Sequence, residues 1–186
     1  MMAFMAMNAV LALFLQRRFG ITEKSFGLIY TFVGAISLVM RSLLLGPAVR
    51  RLGESGVMRI GLAALAAGFA AQAVAPSLLV FFAAILFIPV GTALLFPASS
   101  SLVSRFAQRH ELGATMGVQQ AYGGVARLVG PMWAGFTFER FGPGAPFWIS
   151  CGLAIATLVF AGGLHADAPA GPAGSQKDSS AAPEAA

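Results

Sequence analysis

The sequence has 186 residues, of which 58% are hydrophobic and only 10% are charged. A typical soluble domain is about half apolar and about one quarter charged, so these values exclude a water-soluble globule and disorder over most of the chain. The single cysteine, Cys151, excludes a disulfide scaffold and a cysteine-rich zinc site. The net charge of +5 comes from basic residues scattered over loops, which indicates membrane topology rather than nucleic-acid binding.

Six apolar stretches predict six transmembrane helices, because a helix needs about 20 apolar residues to cross a bilayer. We expect an all-α membrane protein, since long apolar runs without alternation favour helices over a barrel. The first stretch is about a turn short of the hydrocarbon thickness, and Pro76 divides one long uncharged stretch into the third and fourth spans. The expected spans are residues 1–16, 26–49, 57–75, 77–100, 112–138 and 146–164.

The distribution of basic residues predicts the orientation. Arg50, Arg51, Arg59 and Arg105 belong to the loops after the second and fourth spans, and cytoplasmic loops are enriched in arginine and lysine. Both termini are therefore expected in the cytoplasm, and we expect a bacterial inner membrane protein in contact with the lipid bilayer. Residues 165–186 are rich in Ala, Gly, Pro and Ser, which predicts a disordered cytoplasmic tail.

The fifth span contains a charge near its middle, Arg127. A guanidinium at that depth is costly unless it faces protein or water, so it is not expected to face lipid. Two roles remain open: contact with an anionic or polar cargo in a cavity, or structural hydrogen bonds to carbonyls of a neighbouring helix. Gln120 falls on the same helical face as Arg127. The other polar candidates for cavity contacts, with interhelical hydrogen bonding as the alternative for each, are Gln119, Tyr122 and Asn8.

Further features of the spans leave two interpretations open. Arg41 either extends its side chain to the inner interface or contacts the loop 46–59 as part of a gate. Pro89 and Pro97 interrupt the hydrogen bonding of the fourth span and mark either a hinge or a plain kink. The two histidines, His110 and His165, are too far apart in sequence to suggest a metal site, and no cofactor is expected.

The residues between the second and third spans, GPAVRRLGESGVM at 46–58, resemble a degenerate copy of the loop motif of the major facilitator superfamily, G-x-L-a-D-r-x-G-r-k. Gly46, Arg51 and Gly53 fall on its first, sixth and eighth positions, and Arg50 replaces its aspartate. This resemblance implies a gating role for the loop.

The fifth span resembles the antiporter motif of the same family, G-x8-G-x3-G-P-x2-G-G, with alanine at two of the glycine positions. Residues 96–142 look like the last loop and eleventh helix of drug-efflux members. The matching residues are Gly117, Ala126, Gly130, Pro131, Ala134 and Gly135. Together with Gly123 and Gly124, these glycines are expected to serve helix packing.

The resemblance implies that residues 1–164 correspond to the C-terminal six-helix half of a twelve-helix transporter. It implies secondary active transport of a small molecule, with efflux as the direction, by alternating access of two halves around a midplane site. The expected partner is the missing N-terminal half or a second copy of the chain. No span contains a carboxylate, so we expect that residues 1–186 alone do not transport and that any proton coupling depends on the partner.

Two other functions compete with transport. A membrane-embedded enzyme is disfavoured because no span contains His, Asp or Glu, and neither G-x-S-x-G nor H-E-x-x-H is present. The alternative is a non-transporting membrane scaffold or half-size partner that assembles with another six-helix chain.

Overall fold

The computed structural model describes residues 1–21, 23–108 and 110–162 of the chain, and the predicted tail at 165–186 lies outside them. The described residues form helices joined by short connections, which confirms the all-α fold. The helices are α1 (Met2–Phe19), α2 (Glu23–Val74), α3 (Leu78–Ile85), α4 (Phe87–Phe106), α5 (Leu112–Phe141) and α6 (Ala145–Gly162).

Helix α2 consists of two helical segments that meet at Gly53. The backbone of Gly53 has φ 68° and ψ 172°, a conformation that is essentially restricted to glycine. We call the segment before it α2a (residues 23–52) and the segment after it α2b (residues 54–74). The predicted loop between the second and third spans is therefore a joint of one residue rather than a stretch of irregular backbone.

Helices α3 and α4 together form one segment of membrane-crossing length, Leu78–Phe106. Its regular helical hydrogen bonding is interrupted at Leu86, although Leu86 keeps the helical angles φ −64° and ψ −25°. The cause of the interruption lies three residues later. Pro89 has no N–H to donate to the carbonyl of Ile85, and its ring crowds that carbonyl. Pro97 lies inside α4 without a comparable break.

The turn predicted at Pro76 is present between α2b and α3. Helix α2 ends at Val74, and α3 begins at Leu78. Ser77 caps α3, because its hydroxyl oxygen accepts a hydrogen bond from the backbone N–H of Val80 at 3.4 Å.

Three segments of the described chain are long and apolar enough by length and hydropathy to cross a membrane: Leu45–Val74, Leu78–Phe106 and Ala145–Gly162. A shorter apolar helix spans Tyr30–Leu43 within α2a. Helices α1 and α5 are not among these segments. Both contain arginine within the helix, at Arg17 and Arg18 in α1 and at Arg127 in α5.

The tightest packing joins α2b to α4. A Cβ atom added to Gly91 would lie 2.5 Å from Leu65 Cγ and 2.8 Å from the carbonyl oxygen of Gly61. A Cβ added to Gly61 would lie 3.0 Å from the carbonyl oxygen of Gly91. Glycine at these positions lets the two backbones approach closely, as small residues do in membrane helix pairs.

Helix α5 packs on α1 through its own small residues. Gly130 contacts α1 so closely that an added Cβ would lie 3.0 Å from Met5 Cβ and 3.1 Å from the carbonyl oxygen of Met2. Ala126 and Ala134, one turn on either side, are also buried.

Aromatic side chains pack at the end of the bundle where α1 finishes. Phe14 of α1 lies with its ring centroid 4.7 Å from that of Phe147 of α6 and 5.3 Å from that of Phe81 of α3. At the same end, the guanidinium of Arg17 lies 4.9 Å from the ring centroid of Phe138. The opposite end brings together Glu54 and Arg105, which are described below.

Candidate functional site

A cavity with a volume of about 790 Å³ opens between five of the helical segments. Its walls come from the start of α1 and from α2b, α4, α5 and α6, and most of the lining side chains are apolar. A volume of this size is within the range of small-molecule pockets, about 300–1,000 Å³. The polar lining residues are Ser99, Ser100, Gln119, Gln120 and Thr157.

The structure brings two of the predicted cavity residues, Gln119 and Gln120, to this cavity. Gln120 lies at its rim, since it lines the cavity and is itself exposed. Tyr122 is also exposed but does not line the cavity, because it points to another side of α5.

A smaller cleft of about 230 Å³ lies between α1, α2a and the break between α3 and α4. The predicted residue Asn8 lines it, together with Tyr30, Ser37 and Thr92. These four polar side chains come from three separate segments that only the tertiary fold brings together.

In the cleft, the side-chain N–H and O–H donors of Asn8, Tyr30 and Thr92 make hydrogen bonds to backbone carbonyls, whereas the side-chain oxygens keep lone pairs that can accept further bonds. The amide nitrogen of Asn8 donates to the carbonyl of Phe4 at 2.8 Å. The hydroxyl of Tyr30 donates to the Asn8 carbonyl at 3.3 Å, and the hydroxyl of Thr92 donates to the Ile88 carbonyl at 2.9 Å. Hydroxyl and amide oxygens keep further lone pairs, so the cleft is rich in acceptors.

Sequence reasoning missed Tyr30, Ser37 and Thr92. Of these three, only Tyr30 could have been selected from the sequence, because it is one of two tyrosines in the chain and lies within an apolar span. Serines and threonines in helices often donate a hydrogen bond to a backbone carbonyl of their own helix, as Thr92 does to Ile88. Ser37 and Thr92 therefore did not stand out in the sequence.

Arg127 lines neither cavity and is exposed on α5. The buried face of α5 passes through Gly123, Ala126 and Gly130 toward α1, and Arg127 lies at the edge of that face. Its backbone carbonyl also lacks the standard helical donor, because Pro131, four residues later, has no N–H.

The predicted packing glycines of α5 divide into two groups. Gly123 and Gly130 are buried, and Gly130 touches α1. Gly117, Gly124 and Gly135 have no atom within 4 Å of an added Cβ among the described residues. The second group therefore forms an open strip of small residues beside Arg127.

The loop motif at 46–58 contributes one ion pair. Glu54, directly after the joint at Gly53, receives a hydrogen bond from the hydroxyl of Ser101 and lies with Oε2 3.1 Å from Nε of Arg105 in the last turn of α4. The Glu54 side chain is 11% exposed and that of Arg105 is 62% exposed. The pair joins the start of α2b to the end of α4.

The other residues predicted for a gate do not take part in this pair. Gly46, Arg51 and Arg41 are exposed, and an added Cβ at Gly46 would have no atom of the described residues within 4 Å. The motif's link to α4 is made instead by Glu54, which was not among the residues predicted for the gate.

The described part of the chain holds no group of three or more His, Cys, Asp or Glu residues that could bind a metal ion. The acidic residues Glu54, Glu111 and Glu139 lie near joints or helix ends.

The arrangement of the helices resembles that of a solved membrane transporter. No curated protein matches the chain. Among solved structures, the chain is similar to the human organic anion transporter MFSD10 (TETRAN), with a TM-score of 0.78 at 22% sequence identity. The match covers 86% of this chain and 37% of that one, so the chain spans well under half the length of the solved transporter.

This similarity shows a shared fold, and it confirms that the helices are arranged as in part of a transporter of this type. The profile of the Major Facilitator Superfamily matches residues 1–184. The chain therefore belongs to the major facilitator superfamily and is an integral membrane protein.

Proposed function

We propose that the chain supplies the C-terminal half of a secondary transporter that exports a small molecule by alternating access. Family membership supports transport in general, and the observation that carries the proposal is the open face of α5. Arg127 lies there beside Gly117, Gly124 and Gly135, with the rim of the large cavity at Gln120 two turns away. Such a face is suited to a facing half that completes a midplane site.

The partner is a six-helix N-terminal half, or a second copy of the chain. Small residues allow close approach of another helix, which supports docking at the open strip of α5. The chain acts as a carrier rather than an enzyme. We place it in the bacterial inner membrane, with Glu54 and Glu111 on the cytoplasmic side and Glu23 and Gly144 on the outer side.

The cargo in this proposal is an organic anion. Arginine binds carboxylates through a planar, two-pronged set of donors, and Arg127 is the charged residue of the fifth span. The name of MFSD10 as an organic anion transporter is in line with this choice. The large cavity offers an apolar wall for the remainder of such a molecule.

The test is transport of a fluorescent organic anion by cells that express the chain with its six-helix partner. Arg127→Lys keeps the charge but loses the two-pronged geometry, and Arg127→Gln loses both. We expect both variants to insert normally and to lose most transport. Arg140→Gln, at an exposed arginine in the last turn of α5 that lines neither cavity, is the matched control and should transport normally.

Three outcomes decide between the possible roles. Normal transport by both Arg127 variants would remove Arg127 from the cargo site. Failure of both to accumulate in the membrane would favour a structural role for the guanidinium. No transport by the complete assembly with any anion or neutral compound tried would favour a membrane scaffold.

Orientation and autonomy are tested separately. Single cysteines at positions 23, 54, 111 and 144, in a background without Cys151, are treated with an impermeant reagent. Labelling from outside at 54 and 111, with protection at 23 and 144, would overturn the orientation. Proton-driven flux by the purified chain alone in vesicles would show that it needs no separate N-terminal half.

A further inference from the structure

Gln72 is a buried polar side chain without a hydrogen-bond partner among the described residues. It is 0% exposed, and neither its Oε1 nor its Nε2 atom is hydrogen-bonded to any of the described residues. An amide carries two N–H donors and an acceptor oxygen, and leaving them unpaired inside a membrane protein is costly. Its place in α2b therefore requires a partner.

The position of Gln72 on α2b indicates which part of the neighbouring helix its amide can reach. Side chains on a helix lean toward its N-terminus, so Gln72 lies over Gly68, four residues earlier. A Cβ added to Gly68 would lie 2.9 Å from Ile88 Cδ1 and 3.0 Å from Phe87 Cβ. The amide of Gln72 is thus held at the level where α4 begins.

A backbone carbonyl at that level lacks its usual donor. The helix is interrupted at Leu86, and Pro89, which is buried, has no N–H to give to the carbonyl of Ile85. Ile85 is itself buried. A side chain with unused donors and a carbonyl short of a donor therefore lie at the same depth on two helices that pack closely.

We propose that Gln72 is the hydrogen-bond partner of the Ile85 carbonyl and that this bond governs the hinge between α3 and α4. The bond is open in the arrangement described here, where the Gln72 amide is unpaired among the described residues. It forms when α3 and α4 change their mutual angle, and it stabilises that second arrangement. The inference concerns the helices of this chain alone and holds whatever the cargo is.

The experiment is a double-mutant cycle between Gln72 and Pro89, measured as the thermal unfolding midpoint of the purified full chain in detergent. Gln72→Met has nearly the same length but makes no amide hydrogen bond. With Pro89 present, the chain gains stability from the second arrangement, in which the bond is formed. We therefore expect Gln72→Met to lower the midpoint by about 2–4 °C, the shift that corresponds to one hydrogen bond in a chain of this size. Pro89→Ala restores an N–H for the Ile85 carbonyl, so in that background Gln72→Met should leave the midpoint unchanged or raise it.

Two controls use residues of the same type elsewhere. Gln120→Met should show the same effect with and without Pro89→Ala, because Gln120 lies on α5 at the rim of the large cavity. Pro97→Ala should not alter the effect of Gln72→Met, because Pro97 causes no break in α4. An equal effect of Gln72→Met in the parent chain and in the Pro89→Ala variant would overturn the proposal.

A second measurement keeps the test independent of folding yield. Spin labels at Leu79→Cys and Phe106→Cys, both at exposed positions on either side of the break, report the angle between α3 and α4 in a background without Cys151. We expect two distances in the parent chain and one in Gln72→Met and in a second apolar variant, Gln72→Leu. The same distance distribution in all three proteins would contradict a hinge governed by Gln72.

Discussion

Two glycine-rich surfaces of the bundle have similar compositions and opposite environments. Between α2b and α4, Gly61 and Gly91 meet so closely that no side chain fits. On the open strip of α5, an added Cβ at Gly117, Gly124 or Gly135 would have no atom of the described residues within 4 Å. Glycine between two helices of one bundle stabilises that bundle, whereas glycine on an open face contributes only when a second body docks on it.

The largest effect should come from the closed surface. Gly91→Ala places a methyl group against Leu65 and the Gly61 backbone, and the backbone cannot move aside cheaply. We expect a loss of about 3 kcal/mol in the free energy of unfolding, the upper end of the usual cost of overpacking. The measurement is unfolding of the purified chain, with Gly124→Ala as the matched control.

Gly124→Ala should be neutral or slightly stabilising, because alanine favours the helix and the added methyl group meets open space. Equal losses for the two variants would show that the α5 face is also closed in the isolated chain, and the contrast between the surfaces would disappear.

The joint at Gly53 comes next. Alanine at φ 68° and ψ 172° is strained, and we expect Gly53→Ala to cost about 1–2 kcal/mol or to shift the joint into continuous helix. Circular dichroism and thermal unfolding distinguish these results. Gly27→Ala, also in α2 but in helical geometry with no described atom within 4 Å of the added Cβ, should cause no loss. A loss there equal to that of Gly53→Ala would contradict a local strain effect.

The ion pair between Glu54 and Arg105 should have a smaller effect. Arg105 is largely exposed, so solvent screens the pair and its contribution is about 0.5–1 kcal/mol. Glu54→Arg and Arg105→Glu should each lower the unfolding midpoint, and the doubly exchanged chain should recover part of the loss. Additive losses in the double variant would mean that the two charges do not interact.

The smallest effect on stability is expected at Arg127. It is exposed on the open side of α5, so Arg127→Gln should change the free energy of unfolding of the isolated chain by no more than about 0.5 kcal/mol. A loss of several kcal/mol in the free energy of unfolding would mean that Arg127 stabilises its own bundle and is not available to bind a partner or cargo.

The sequence predicts the all-α fold because long apolar runs without alternation favour helices. Pro76 and Pro89 interrupt helices near the expected places, for reasons that are local to the chain. The pairing of surfaces could not be predicted in the same way. The antiporter-like pattern singled out the glycines of α5, whereas the closest glycine contact among the described residues is at Gly91, which matches no motif.

The candidate site was predicted only where a polar residue stands out in an apolar span. Gln119, Gln120 and Asn8 were found in this way and do line cavities. Tyr30 and Thr92 required knowledge of which helices meet, and the role of Glu54 required the position of Arg105, in a helix that is distant in the sequence. Contacts between distant parts of the chain leave no periodic signal in either partner.

The aromatic cluster has a consequence for how the protein is made. Phe14 packs on Phe147, and at a synthesis rate of about 5–20 residues per second their helices leave the ribosome roughly 7–27 s apart. Phe14 can pack on Phe81 of α3 as soon as that helix is inserted, whereas its contact with Phe147 has to wait for α6. Completion of this end of the bundle therefore depends on α6, and a chain arrested before α6 lacks the Phe147 side of the aromatic cluster.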